Sequence, residues 1–343
     1  MVVNTTPWKP GSATGIGSLP GTDPREASRI VLGELPLLPH LPELPDRGVG
    51  ADIIGRTAGL LVDIPIEVVP SGYRVTAHQG RDHRRATDLM AYDLDAFEEA
   101  VQSVNLRPEV VKIQIAGPWT LMSNIELVRG HRVLTDPGAV KEFTQSLAEG
   151  LRQHIAEVKK RTGAQVVVQL DEPGVPAVLG GLLPTPSKLG TVRAVPEPDA
   201  RDVLAEIIDV AGPGAIVHCC APKPPVTLFR EAGATAVALD VDLLRGAGRE
   251  VADQLGEAWQ AGTSLWLGLV PSVDPDIKVD LRSLARPALE LADRLGFSRE
   301  VLTRQALPTP TCGMAGASDR WVRRALSLTR DLGKAFLEPP EDW

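Results

Sequence analysis

Residues 164–173 read AQVVVQLDEP, an apolar run rich in valine that closes on two adjacent acids. Near-continuous apolarity suits a strand covered on both faces, the condition of a parallel sheet or barrel, where alternation with polar residues is not required. The same pattern recurs along the chain as VKIQIAGPW (111–119), AIVHCCAP (215–222), AVALDVD (236–242) and SLWLGLVPS (264–272). Each run ends in polar or special residues, and a helix-like segment separates most successive runs. TDPGAVKEFTQSLAEGLRQHIAEVKKRTG (135–163) has Asp136 as a cap before Pro137, an apolar stripe through Val140, Phe143, Leu147, Leu151, Ile155 and Val158, and Gly163 as a stop. GREVADQLGEAWQAG (248–262) repeats the scheme, and LRSLARPALELADRLG (281–296) does so with an interruption expected at Pro287.

The unit is strand, loop, helix, repeated. GIGSLP (15–20), IPIEVVPSGY (64–73) or a neighbouring segment, and QALPTPTCG (305–313) bring the strands to eight, the number in a (β/α)8 barrel. Residues 36–90, irregular and rich in Pro, Gly and Arg, read as long loops over the barrel mouth. No break in composition marks a second domain, so one barrel domain is expected over residues 1–343.

Composition narrows the function. The chain has 343 residues, 43% hydrophobic and 23% charged, with 36 Lys plus Arg against 44 Asp plus Glu and a net charge of −8, the balance of a soluble globular protein. No basic run interleaved with aromatics points to nucleic acid, and no apolar run reaches membrane-spanning length. The opening MVVNTTPWKPGS lacks the basic start and apolar stretch of a secretory signal, which predicts a cytoplasmic protein. Three cysteines make no disulfide framework; in a reducing compartment such cysteines more often bind metal or take part in catalysis.

In a barrel of this kind the residues closing each strand meet at the C-terminal face, where the site is assembled. The candidates are Ser18, the GPW of 117–119, Asp171 with Glu172, His218 with Cys220, Asp240, the PSVD of 271–274, and Cys312. His218, Cys220 and Cys312 supply a three-ligand zinc set that leaves a position for substrate. Strand alternation turns His218 and Cys220 to one face and Cys219 to the other, so Cys219 is expected to pack. Asp240 is a further oxygen ligand or a hydrogen-bond partner behind the ligands. The bland readings stand beside these: a buried cysteine often behaves as a small hydrophobe, and Asp171, Glu172 or Ser18 can serve as caps or turn residues.

Five motifs in order, IGSLP, AGPWT, QLDEP, HCC and PTCG, resemble the catalytic domain of cobalamin-independent methionine synthase, a zinc-dependent (β/α)8 barrel. The resemblance spans residues 16–313 and covers only the catalytic half of the long family members. It implies zinc on His218, Cys220 and Cys312, homocysteine held by Gly17 and Ser18 with Asp171 facing its amino group, and Glu172 supporting that pocket. Zinc would hold the substrate sulfur as thiolate, the form that attacks an activated methyl group.

Three positions depart from the family pattern. Asp240, with Asp242 in reserve, stands where the family places a glutamate ligand. No histidine follows His218, so the family's late histidine acid has no counterpart, and Asp274 is the candidate in its place; a solvated carboxylate would need a raised pKa for that work. Asn124 stands near the family's tryptophan, while Trp119 lies inside the AGPWT motif. The departures bear on the methyl donor more than on the thiol. The expectation is therefore methyl transfer to homocysteine, or a similar small thiol, from methyltetrahydrofolate or a methylated corrinoid protein. Alternatives are zinc-dependent alkyl transfer to another thiol such as coenzyme M, a metal-free decarboxylase of the uroporphyrinogen type, and a zinc-binding module without chemistry.

Overall fold

A computed structural model describes residues 6–103, 107–244 and 248–338, so the first five residues of the N-terminal stretch read above lie outside it. The strands are β1 (Ile66–Val69), β2 (Gly72–Val75), β3 (Val110–Ala116), β4 (Ile125–Glu126), β5 (Gln165–Asp171), β6 (Ile216–Cys219), β7 (Ala236–Asp240), β8 (Ser264–Val270) and β9 (Ala306–Pro310). Six pair in parallel in the order β3-β5-β6-β7-β8-β9; five of them were legible as apolar runs, and β9 lies in QALPTPTCG, the candidate strand near the end of the chain.

Two short segments close the curled sheet into a (β/α)8 barrel. Residues 39–43 pair along β3, with the Lys112 N–H donating to Pro39 O and the Leu41 N–H donating to Lys112 O, each at 2.9 Å. They pair on their other side with the first segment through the Ser18–Glu43 bridge. The Met314 N–H, just beyond β9, donates to Ser18 O at 2.8 Å and completes the circle. Neither segment forms a long ladder, because Pro39 and Pro42 have no N–H to give and Gly15 and Gly17 lower strand propensity.

The second barrel segment is thus 39–43, within LPHLPEL, and not IPIEVVPSGY. That stretch is an antiparallel hairpin, β1 with β2, in a separate three-stranded sheet with β4. Its polar Glu67 and Arg74, paired across the hairpin, suit a ribbon with one wet face better than a strand buried on both. The stretch 36–90, expected as loops, also holds a helix at Ile53–Ala58 and the start of another at Arg81–Ser103.

The long helix forms at Pro137–Thr162, with the Asp136 carboxylate accepting the Ala139 N–H and Gly163 left-handed at φ 68°. The helix Leu281–Arg294 runs through Pro287 without breaking. A mid-helix proline costs about 3 kcal/mol. Burial of Leu284, Ala288, Leu289 and Leu291 against the barrel outweighs it.

Strand alternation sorts the core into two shells. Val111, Ile113, Ile115, Val168, Val217 and Cys219 face outward to the helices, in one large cluster. Val110, Val167, Ile216, Ala236, Ala238, Trp266 and Leu307 face inward and fill the barrel floor, where Trp8 meets Trp266 edge-on at 5.0 Å. Continuing up the same inward rows leads from this apolar floor to Lys112, Gln114 and Gln169, and then to Asp171, His218 and Cys220. No described helix is long and apolar enough to cross a membrane.

Candidate active site

His218, Cys220 and Cys312 offer one ligand atom each, all within 4.8 Å of one another. They lie above the floor because β6 presents His218 inward and ends at Cys219, which leaves Cys220 free to turn towards the loop that follows β9. Cys219 faces outward in the core as alternation requires, and burial pushes its thiol up to about 12. The Cys220 and Cys312 sulfurs are 3.4 Å apart. Contact with Cys220, then the charge of His218, pulls Cys312 down to about 6, while the same contact and burial push Cys220 up.

His218 is 3% exposed, and its Nδ1 lies 2.6 Å from Asp171 Oδ1. Burial pulls the imidazole down, but the Asp171 hydrogen bond and charge outweigh it and the net shift is upward. Nε2 is buried without a partner. A ring that donates from Nδ1 to a carboxylate presents Nε2 as a bare acceptor, the arrangement of a carboxylate–histidine–metal triad. Two sulfurs beside that orphaned nitrogen fit zinc, with three protein ligands and an open fourth position.

A cavity of about 350 Å³ opens onto these atoms, lined also by Gly17, Ser18, Glu43, Asp52 and Asp171. Among the described residues, no lysine or arginine lines it. Gly313 lets the last loop lie on Ser18, since a Cβ there would collide with the Ser18 hydroxyl. Glu43 did not emerge from the sequence. It sits in the proline-rich stretch between Leu41 and Pro45, 5% exposed, and burial pushes it up to about 7 against the pull of Arg56. Arg56 Nε lies 3.7 Å from Glu43, while the Arg56 guanidinium is held by buried Asp93, which also binds Arg47 at 2.7 Å. Glu43, Arg47 and Arg56 of this network lie in the stretch read as loop, and Asp93 lies in the helix Arg81–Ser103 beyond it.

The other expected residues fall outside this group. Glu172 points away from the cavity and accepts the N–H groups of Trp119 and Thr120, at 2.9 and 2.7 Å. It serves as a cap for the helix Pro118–Asn124, packed so closely that a Cβ at Gly117 would meet its carboxyl group at 2.5 Å. Trp119 donates to Ala200 O and borders a separate, larger cavity of about 620 Å³ that lacks the cysteines and acids of the first. Asp240 ends β7, but its carboxylate accepts the Asp242 N–H at 2.9 Å and is not among the three clustered ligands. Asp242 is exposed on the short helix that follows. Asp274 accepts the Ser318 hydroxyl and N–H at 2.6 and 2.7 Å; those bonds hold it below the usual carboxyl range, the reverse of what a proton donor needs.

Glu172 carries a pH prediction. Burial raises it from 4.5 to about 7, so the folded protein keeps a proton that the unfolded chain has already released. That contribution is full below the unfolded pKa and is lost as pH rises towards 7. Glu172→Gln removes the titration but turns an amide N–H towards one of the two backbone donors. The variant should melt below the parent near pH 5, and the gap should narrow by about 1–3 kcal/mol by pH 8. Thermal melts across this range check it; a gap that stays constant or widens contradicts it.

Comparisons with known proteins place the chain in a family and a fold. The family described as cobalamin-independent synthase, catalytic domain, matches residues 12–335. A B12-independent methionine synthase from Shewanella sp. W3-18-1, solved in complex with selenomethionine, superposes with a TM-score of 0.54 at 12% identity, covering 95% of this chain and 97% of that one. A structure from Listeria monocytogenes assigned as a vitamin-B12-independent methionine synthase gives 0.49 at 15% identity over 96% of this chain and 99% of that one. Curated protein sequences give no significant match.

Proposed function

The chain belongs to the family of cobalamin-independent synthase catalytic domains, and we propose that it transfers a methyl group to the thiol of homocysteine at a zinc held by His218, Cys220 and Cys312. The observation that carries the reading is one cavity lined by two unlike sets of groups: the sulfur and imidazole ligands, and the Glu43 and Asp171 carboxylates beside them. A small amino thiol matches both. The selenomethionine held by the Shewanella relative has the same amino-acid end and a chalcogen at the same chain position.

Zinc supplies a Lewis acid that keeps the substrate sulfur ionised at neutral pH. The residues of the chain do the rest. Asp171 and Glu43 attract the substrate ammonium, and the Gly17–Ser18 segment offers backbone and hydroxyl groups to its carboxylate. Asp171 also fixes the His218 ring through Nδ1, so that Nε2 faces the ligand position. The homocysteine sulfur then displaces the donor's leaving group in line, with binding energy from the amino-acid end spent on alignment. Asp240 stays outside the three-ligand set in this reading, and His218, Cys220 and Cys312 would hold the zinc with room left for the substrate sulfur. No acid is assigned to the leaving group. Coenzyme M fits less well, because the cavity offers acids and no lining cation to a sulfonate.

Zinc-loaded protein incubated with homocysteine and a methyl donor should form methionine, and omission of zinc, homocysteine or the donor should abolish the product. Methyltetrahydrofolate and a methylated corrinoid protein, supplied separately, identify the donor. Absence of methionine with both donors, from protein that binds zinc but not homocysteine, overturns the reading in favour of a zinc-binding module.

A further inference from the structure

Lys112 is fully buried in the barrel interior, on the inward row of β3, and makes no ion pair among the described residues. Its ammonium has three hydrogens and three acceptors: Ile16 O at 2.9 Å, Gln114 Oε1 at 3.0 Å and Gln169 Oε1 at 2.8 Å. An ammonium can only donate, so both amides must turn their oxygens inward and their nitrogens outward. Gln169 Nε2 accordingly donates to Asp171 Oδ1 at 2.7 Å and to Ile16 O at 2.9 Å. Gln114 Nε2 donates to Leu41 O at 2.6 Å.

Each branch of this network ends on, or within two residues of, a group that faces the substrate cavity. Ile16 precedes Gly17 and Ser18, Leu41 lies two residues before Glu43, and Asp171 is reached directly. The two closing segments of the barrel have few ladder bonds of their own, so these side-chain bonds supply what their backbones lack. A buried charge is expensive and contributes little to stability compared with a hydrophobic replacement of the same volume. Its retention beneath a binding site therefore calls for a role in that site.

We propose that Lys112 is a positioning residue that sets the amino-acid end of the thiol site: through Ile16, Gln114 and Gln169 it aligns Gly17–Ser18, Glu43 and Asp171 on one substrate. The proposal rests on the functional reading above. It assigns the ammonium no contact with substrate and no proton transfer.

The test uses cobalt-substituted full-length protein, in which thiolate binding is read from the sulfur-to-cobalt absorption band. Two probes are titrated: homocysteine, which has both ends, and propane-1-thiol, which has only the sulfur. Lys112→Met should leave the starting cobalt spectrum and the propane-1-thiol affinity unchanged. It should weaken homocysteine about tenfold or more, the scale of one misplaced charged hydrogen bond. Gln114→Met, which removes the Leu41 branch and one of the three acceptors of Lys112 but leaves the Ile16 and Gln169 branches, should weaken homocysteine about threefold on the same reasoning, and it carries the test if Lys112→Met does not fold. Parental homocysteine affinity in the folded variants overturns the proposal, and so does equal weakening of both thiols, which would signify general damage. A parent protein that does not bind homocysteine at all overturns the functional reading and this inference together.

Discussion

Replacing Cys220 or Cys312 with serine is expected to lower zinc affinity on the order of 100-fold or more and to abolish methyl transfer. A zinc site derives its binding free energy from a few ionised ligands, so the loss of one thiolate of three removes a large share. Serine keeps the shape, but its hydroxyl does not ionise near neutral pH, and the partner sulfur, 3.4 Å away, is left to bind with His218 alone. Cys219→Ala is the matched control. It removes a buried thiol from the outward core, 1% exposed, so it should cost about 1 kcal/mol of stability and leave zinc bound. Competition with a chromophoric chelator gives the affinities. If both serine variants keep parental zinc affinity, the site is not built from these residues.

Asp171→Asn should lower kcat/KM by about a thousandfold, through two separable losses. The first is at the metal. Asp171 Oδ1 binds His218 Nδ1 at 2.6 Å, and replacing such a partner typically costs 10–100-fold in metal affinity or activity. The second is at the substrate. The amide no longer attracts an ammonium group, and a charged hydrogen bond is worth about 1.5–3 kcal/mol. Glu43→Gln separates the two: it should weaken homocysteine on the order of tenfold and leave zinc affinity unchanged, because Glu43 lines the cavity without touching His218. Calorimetric titration of zinc and then homocysteine into each variant checks the pair. Parental homocysteine binding by both variants would mean that the carboxylates do not hold the substrate amine.

The parts of this site visible in the sequence share a physical property. His218, Cys220 and Cys312 are rare residue types in this chain, placed where regular strands or their closing loops end, and strand periodicity alone separates Cys220 from Cys219. Lys112, Gln114 and Gln169 were also in plain view, as polar residues on the inward rows of apolar runs. Their inward direction implied a buried network, but its end points, Ile16 O and Leu41 O, lie on segments about 70 to 150 residues away in sequence. Glu43 was hidden for a related reason. Pro39 and Pro42 erase the strand signal around it, so the stretch that forms a barrel wall reads as loop.

The sequence by itself determined the repeated parallel architecture, because strands buried on both faces must be written in apolar residues, and it singled out one imidazole and two thiols, the residue types that the proposed zinc would select. Only the tertiary structure decided which acids face the cavity. Asp171 and Glu172 are neighbours in one motif, yet successive side chains at a strand end diverge: Asp171 turns inward to His218 and the cavity, Glu172 outward to cap a helix. Asp240 and Asp274 end in backbone hydrogen bonds, while Glu43 arrives from a distant segment. A carboxylate's role is set by where its oxygens find hydrogen-bond donors, and those donors come from parts of the chain that only folding brings near.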